Sequence, residues 1–200
     1  MPSSTRRELI PGPAGKIECA IDEPERKVSR GVALVAHPHP LFGGTLDNKV
    51  TQTLARAFVE LGYTAWRPNF RGVGASEGTH DEGRGELEDL AAVIEYARNE
   101  KPVLAGFSFG AAIQARLAQR VKPERMALVG IAVKHFEAPP VPANTLVMHG
   151  EEDSTVPLAD VLAWARPQDL PVIVVPGADH FFHRRLHILR AIVGNSWKPG

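Results

Sequence analysis

Short apolar runs alternate with amphipathic stretches along the chain, and the spacing of apolar positions changes between them. "GVALVAHP" (31–38) is apolar without alternation, as a strand buried on both faces requires. In "DNKVTQTLARAFVELG" the apolar residues Val50, Leu54, Ala57, Phe58 and Leu61 recur at helical spacing. Asp47 is placed to cap that helix and Gly62 to stop it. The same two signatures repeat downstream. "TAWRPNF", "PVLAGFS", "RMALVGIAV", "NTLVMHGEED" and "LPVIVVPGADH" predict strands. "GRGELEDLAAVIEYARNE", "FGAAIQARLAQRV", "PLADVLAWA" opening with Pro157, and "FHRRLHILRAIVG" predict helices. Ahead of them, "RELIPGPAGKIECAIDEP" reads as two short strands around a Gly/Pro turn. Six apolar strands separated by helices or long crossovers predict an α/β fold with a doubly wound, mostly parallel sheet. The N-terminal pair adds an antiparallel hairpin at its edge.

Composition narrows the class more than it changes the fold. The chain has 200 residues and 44% hydrophobic content, enough for one domain spanning 1–200 and short for two. Its 23 basic and 23 acidic residues cancel, without the basic stripe of a nucleic-acid binder. The lone Cys19 excludes an intrachain disulfide and a cysteine metal cage, and reads as a packed strand residue. "MPSSTRRELIPGPAG" has no apolar core of a secretory signal, and no apolar run reaches the ~18 residues of a membrane span. The expectation is a cytoplasmic protein with no nucleic-acid or membrane partner; composition says nothing of oligomeric state.

In doubly wound sheets, reactive groups collect at the carboxyl ends of the strands. The polar residues just after the predicted strands therefore carry the chemistry. "GFSFG" (106–110) puts Ser108 between two glycines at a strand-to-helix junction. "HGEEDSTVP" supplies Glu151, Glu152 and Asp153, and "GADHFF" supplies Asp179 and His180. A serine hydroxyl is too weak an acid to attack at neutral pH. It needs a histidine to take its proton and a carboxylate to fix the imidazole tautomer. Ser108, an acid after the next-to-last strand and His180 after the last can meet this need. As a helix N-cap alone, Ser108 would not need both glycines, which let strand and helix approach without Cβ clashes. His37, His39, His149, His183 and His187 are rival bases. His180, His183 and His187 also read as a helical run resembling a metal site, without the carboxylate set such a site needs. Asp179 neighbours His180 in sequence, which points their side chains apart.

"HPHPLFGGT", "NFRGVGASEG", "AGFSFG" and "GADHFF" together resemble the α/β-hydrolase fold family, closest to its small, capless, dienelactone-hydrolase-like predicted serine hydrolases. The resemblance runs from the hairpin to the last helix. It implies Ser108 as nucleophile, His180 as base and Asp153 as acid, the last because "HGEEDSTVP" matches the family's HG-x-x-D-x-x-V-P. It also implies that no cofactor or metal is needed. The oxyanion hole is expected from the backbone N–H of Phe109 and from a second N–H in "HPHPLFGG". Pro38 and Pro40 carry no N–H, which leaves His39, Leu41 or a neighbour. The glycines of "RGVGASEG" miss the dinucleotide fingerprint, because Gly78 is displaced by one. Arg71 there is expected to pair locally as a structural residue.

Many α/β-hydrolases insert a helical lid between the strands at 125–133 and 144–148. Here "KHFEAPPVPA" is too short for one. An open site lined by the 37–45 loop, Phe109, the 134–139 segment and Phe181 favours small or exposed esters. The leading expectation is a carboxylesterase-like serine hydrolase working through an acyl-enzyme on a small-molecule ester. A thioesterase, amidase or acyltransferase would use the same residues, and a non-catalytic binding protein of this fold is the other class.

Overall fold

The computed structural model describes residues 5–25 and 29–197; the first four residues of the N-terminal segment read above lie outside them. The predicted hairpin forms as β1 (Thr5–Gly12) and β2 (Gly15–Asp22). The six apolar runs become β3 (Val32–Ala36), β4 (Thr64–Pro68), β5 (Val103–Phe107), β6 (Arg125–Val129), β7 (Leu146–Gly150) and β8 (Val172–Val175). All eight join one sheet in the order β1-β2-β4-β3-β5-β6-β7-β8. β1 and β2 pair antiparallel, β2 adds antiparallel to β4, and every pairing from β4 to β8 is parallel.

The unbroken apolar runs have a direct physical cause: each inner strand faces helices on both sides. Val32, Leu34 and Ala36 of β3 point into one core, with Leu104, Met126, Leu128 and Val147. Ala33 and Val35 point into the other, with Ala105, Phe107, Val129 and Met148. The first core is covered by α2 (Arg84–Ala97), α3 (Phe109–Leu117) and α4 (Leu158–Ala165), through Leu87, Leu90, Ile113 and Val161. The second is covered by α1 (Lys49–Glu60) and α5 (Leu186–Ser196), through Leu54, Phe58, Leu189 and Val193. Alternation along each strand thus divides residues between two buried layers. Residues 130–145 join β6 to β7 with a turn at 133–137 and no helix, so no lid covers the sheet's carboxyl edge.

Four local expectations are corrected. The α1 cap is Asn48, not Asp47: Asn48 Oδ1 accepts from the N–H groups of Val50 and Thr51. Asp47 instead meets Arg7 and Gln52. The run "RMALVGIAV" stops being strand at Val129, because Gly130 turns at φ 53°. Pro157 precedes α4 as its N-cap residue rather than opening it. The last helix begins at Leu186, not Phe182. Phe182 and Arg184 sit at φ 53° and 62°, so His180 and His183 lie in turns and share no helix face with His187. No helix among the described residues is long and apolar enough to cross a membrane.

Candidate active site

Ser108 occupies the turn between β5 and α3 at φ 55°, ψ −116°, a conformation rare for a residue with a side chain. The surrounding bonds hold it there. Its N–H donates to Val129 O at 2.9 Å, and its carbonyl accepts from Ala112 at 3.2 Å and Ala132 at 3.3 Å. The flanking glycines are needed for space. A Cβ on Gly106 would lie 2.7 Å from the Ala111 nitrogen, and one on Gly110 would lie 2.4 Å from His37 O and 2.6 Å from Ala36 O. The second close approach brings the loop after β3 against the first turn of α3.

The loops after β7 and β8 are tied together before they reach Ser108. Glu151 N–H donates to Val175 O at 3.1 Å and Glu152 N–H to Ala178 O at 2.9 Å. Asp153 Oδ1 accepts from the N–H groups of Thr155 and Val156 at 2.9 and 2.7 Å. This leaves Asp153 Oδ2 aimed at His180 Nδ1, 2.6 Å away. His180 Nε2 lies 3.1 Å from Ser108 Oγ. With Nδ1–H donating to the carboxylate, Nε2 is a bare nitrogen able to accept a hydrogen bond from the serine hydroxyl. All three residues are buried, at 8%, 6% and 5% exposure for Ser108, Asp153 and His180. The edge of the sheet thus holds a base within reach of a hydroxyl, oriented by a sealed acid.

The rival acids are engaged elsewhere. Asp179 binds the exposed His183 through Nδ1 and backbone N–H, and His183 holds its carboxyl below the usual range against the opposing effect of burial. Glu151 accepts from Gly177 N–H at 2.8 Å, and Glu152 faces solvent. The rival histidines separate too. His37 is buried between Pro38 O and the Phe70 N–H, and burial pushes its pKa down to about 4. His149 packs behind Asp153, with Nε2 2.9 Å from Val156 O, and burial lowers it as well. His187 is exposed on α5.

At the oxyanion loop, Leu41 N–H is taken by His39 Nδ1 at 3.2 Å. The backbone N–H groups of Phe109 and His39 donate to no group among the described residues. Phe109 begins α3, so its N–H also lies at the positive end of a helix dipole. The rim carries the exposed Leu41, Phe42 and Phe181, with Phe136 of the 134–139 segment packed on Phe109 at 4.7 Å. Arg71 does not pair locally: it forms a two-pronged bond to Asp89 on α2, at 2.9 and 2.8 Å. Cys19 is a buried residue of β2, its thiol pushed up to about 12 by burial.

Sequence reasoning missed His80 and Glu86. His80 stands over Glu86 at 2.8 Å and beside His39 and Phe109. The available signal was Glu86 three residues after Gly83, the spacing of a capping box at a helix start.

A lidless doubly wound sheet, with serine, aspartate and histidine following in that chain order and meeting at its carboxyl edge, defines the class: an α/β-type serine hydrolase. Comparison with known proteins agrees. The model of the alpha/beta hydrolase fold family matches residues 39–140. The chain is 35% identical to a lidless α/β serine hydrolase from Xanthomonas campestris, with a TM-score of 0.93 over 100% of this chain and 98% of that one. It is 38% identical to an α/β serine hydrolase homologue from Coxiella burnetii, with a TM-score of 0.90 over 98% and 99%. It is also 33% identical to an uncharacterised protein of Rickettsia prowazekii, over 86% of this chain and 79% of that one. The chain belongs to the α/β hydrolase fold family.

Proposed function

We propose that the protein hydrolyses small or exposed carboxylic esters, with Ser108 as nucleophile, His180 as general base and Asp153 as the acid that orients it. The observation that carries this is the continuous hydrogen-bonded line from Asp153 Oδ2 through His180 to Ser108 Oγ, at 2.6 and 3.1 Å. Ser108 Oγ attacks the ester carbonyl while its proton passes to His180 Nε2. The oxyanion is met by the N–H groups of Phe109 and His39; Leu41 is set aside because its N–H is already bonded. Collapse breaks the carbon–oxygen bond to the alcohol, which takes the proton from Nε2 and leaves acyl-Ser108. Water then gives a proton to Nε2 and adds to the acyl carbon. Collapse of that intermediate returns the proton to Ser108 and frees the acid. Each oxyanion donor contributes roughly 10²–10³ in rate, and acid–base help a further 10²–10⁴.

The absence of a helical lid over 130–145 supports a preference for short or exposed acyl groups. One sheet takes strands from residue 5 to residue 175, in keeping with a single domain over 1–200. A free, buried Cys19 fits a reducing, cytoplasmic setting. The test is labelling by a fluorophosphonate probe, with hydrolysis of acetyl, butyryl and palmitoyl esters in parallel. Wild type labels and prefers the short esters, whereas Ser108→Ala and His180→Ala do not label. Equal labelling of Ser108→Ala would refute the nucleophile, and a palmitoyl preference would refute the open site.

A further inference from the structure

Beside the oxyanion loop, two imidazoles face one another outside the Ser108–His180–Asp153 line. The His39 and His80 ring centroids are 4.9 Å apart, and the rings lie 4.9 and 5.8 Å from that of Phe109, the residue after Ser108. Each ring has its Nδ1 set against a protein group. His39 Nδ1 accepts the Leu41 N–H at 3.2 Å. His80 Nδ1 is buried 2.8 Å from Glu86 Oε1, too far off-axis for a linear hydrogen bond. The two Nε2 atoms have no protein partner among the described residues, and neither is sealed from solvent.

These inner contacts fix what each outer nitrogen offers. An Nδ1 that accepts an N–H carries no proton, so the neutral His39 ring has its proton on Nε2 and presents a donor. Burial, aided by His80 and opposed by Glu86, holds His39 below its ordinary pKa and so keeps it neutral. At His80 the order reverses. Glu86 is fully buried, and its carboxylate already accepts the N–H groups of Asp81 and Gly83 at 2.9 and 2.8 Å. A bare nitrogen lone pair cannot rest against that oxygen at such a distance, so the His80 proton sits on Nδ1. In the neutral ring, Nε2 is then an acceptor.

We infer that His39 and His80 form a subsite for a hydroxyl group of the substrate, which accepts from His39 Nε2–H and donates to His80 Nε2. The inference rests on Ser108 being the nucleophile and adds a substrate feature to that reading. One oxygen bonded to two nitrogens at about 2.9 Å spans nitrogen separations of roughly 4.5–5 Å, which suits rings this close. The same tautomer argues against a metal: His39 Nε2 would have to lose its proton to ligate, and Nδ1 would gain it at the expense of the Leu41 bond. Beside the pair, the partly exposed Phe136 ring lies 5.4 Å from His39 and offers an apolar flank for the rest of the group, while the fully buried Phe109 backs it from inside.

The experiment compares kcat/KM for matched esters in wild type, His80→Phe and His39→Asn; Asn keeps an acceptor for the Leu41 N–H. Methyl β-hydroxybutyrate is set against methyl butyrate, and glyceryl monobutyrate against propyl butyrate. Monomethyl succinate gives a carboxylate arm, and Ser108 labelling is followed in the same preparations. In wild type, a hydroxyl-bearing ester of one pair is expected to be favoured about tenfold, less than for a sealed site because this one is open. The ratio falls to about one in both variants. A labelled wild type with no hydroxyl preference in either pair overturns the subsite alone. So does a preference that survives in either variant, or a succinate ester favoured over the hydroxyl esters, which would make this an anion site. A wild type that neither labels nor turns over overturns the nucleophile as well.

Discussion

His37 makes stability depend on pH in a way that can be worked from the structure. It follows β3, fully buried, with Nδ1–H donating to Pro38 O at 2.7 Å and Nε2 accepting the Phe70 N–H at 3.0 Å. A second proton on Nε2 would face that N–H head-on inside the protein. Burial accordingly pushes the pKa from its ordinary 6.5 down to about 4; the bond to Pro38 O opposes this and His39 adds to it. With the folded pKa below the unfolded one, the unfolded chain binds more protons between these values. The contribution is therefore complete above about pH 6.5, declines as pH falls through the window, and is gone below about pH 4. At 1.36 kcal/mol per pKa unit, the whole window is worth about 3 kcal/mol. Between about pH 7.5 and about pH 5 the loss is about 2 kcal/mol.

The assay is urea unfolding of wild type and His37→Gln at both pH values. The variant loses packing and some bonding at every pH, so its absolute stability is not the readout. The difference in pH slope is. Burial also depresses His149, and that titration is common to both proteins and cancels in the comparison. Wild type should lose about 2 kcal/mol more than His37→Gln on acidification. Parallel losses in the two proteins would refute the reasoning. Because the Phe70 bond ties the loop after β4 to the oxyanion loop, fluorophosphonate labelling should also weaken before global unfolding in wild type.

Asp153→Asn keeps an oxygen for the Thr155 and Val156 N–H groups but presents the wrong group to His180. Its kcat on a short ester should drop roughly 10³–10⁴-fold at nearly unchanged Tm, and unchanged turnover would return the role to Asp179, Glu151 or Glu152. Gly110→Ala drives a Cβ into two backbone carbonyls, whereas Gly194 on α5 has nothing within 4 Å. In urea titrations the first should cost about 1–3 kcal/mol and dull labelling, while Gly194→Ala gains about 0.5–1; equal effects would disprove the close approach at the elbow. Arg67 holds Asp22 at 2.9 and 3.3 Å, both largely buried. Arg67→Met should cost about 3–5 kcal/mol by stranding Asp22, and adding Asp22→Leu should recover most of it; a double variant no more stable than the single one would rule out the stranded charge as the cause.

The sheet was legible because β3 to β7 bury both faces, and that demand writes itself as unbroken apolar runs. Ser108, Asp153 and His180 were legible because parallel strands deliver their ends to one edge, so position after a strand is already position in space. What failed was local and had tertiary causes. Asp47 and Asn48 are both competent caps side by side; the choice fell to Asn48 once Arg7 from the hairpin drew Asp47 away. Phe182 lies in register with Leu186, Leu189 and Val193, so periodicity extended the last helix back to it. The chain turns instead, buries Phe182 and leaves His180 free to reach Asp153. The His39–His80 pair was invisible for a stronger reason. It is built from the loops after β3 and β4 and from the start of α2, and its chemistry depends on which nitrogen each ring sets against the protein. Residue order records none of that. A triad of strand ends can be read from a sequence, but a substrate contact made by tautomers across loops requires the folded chain.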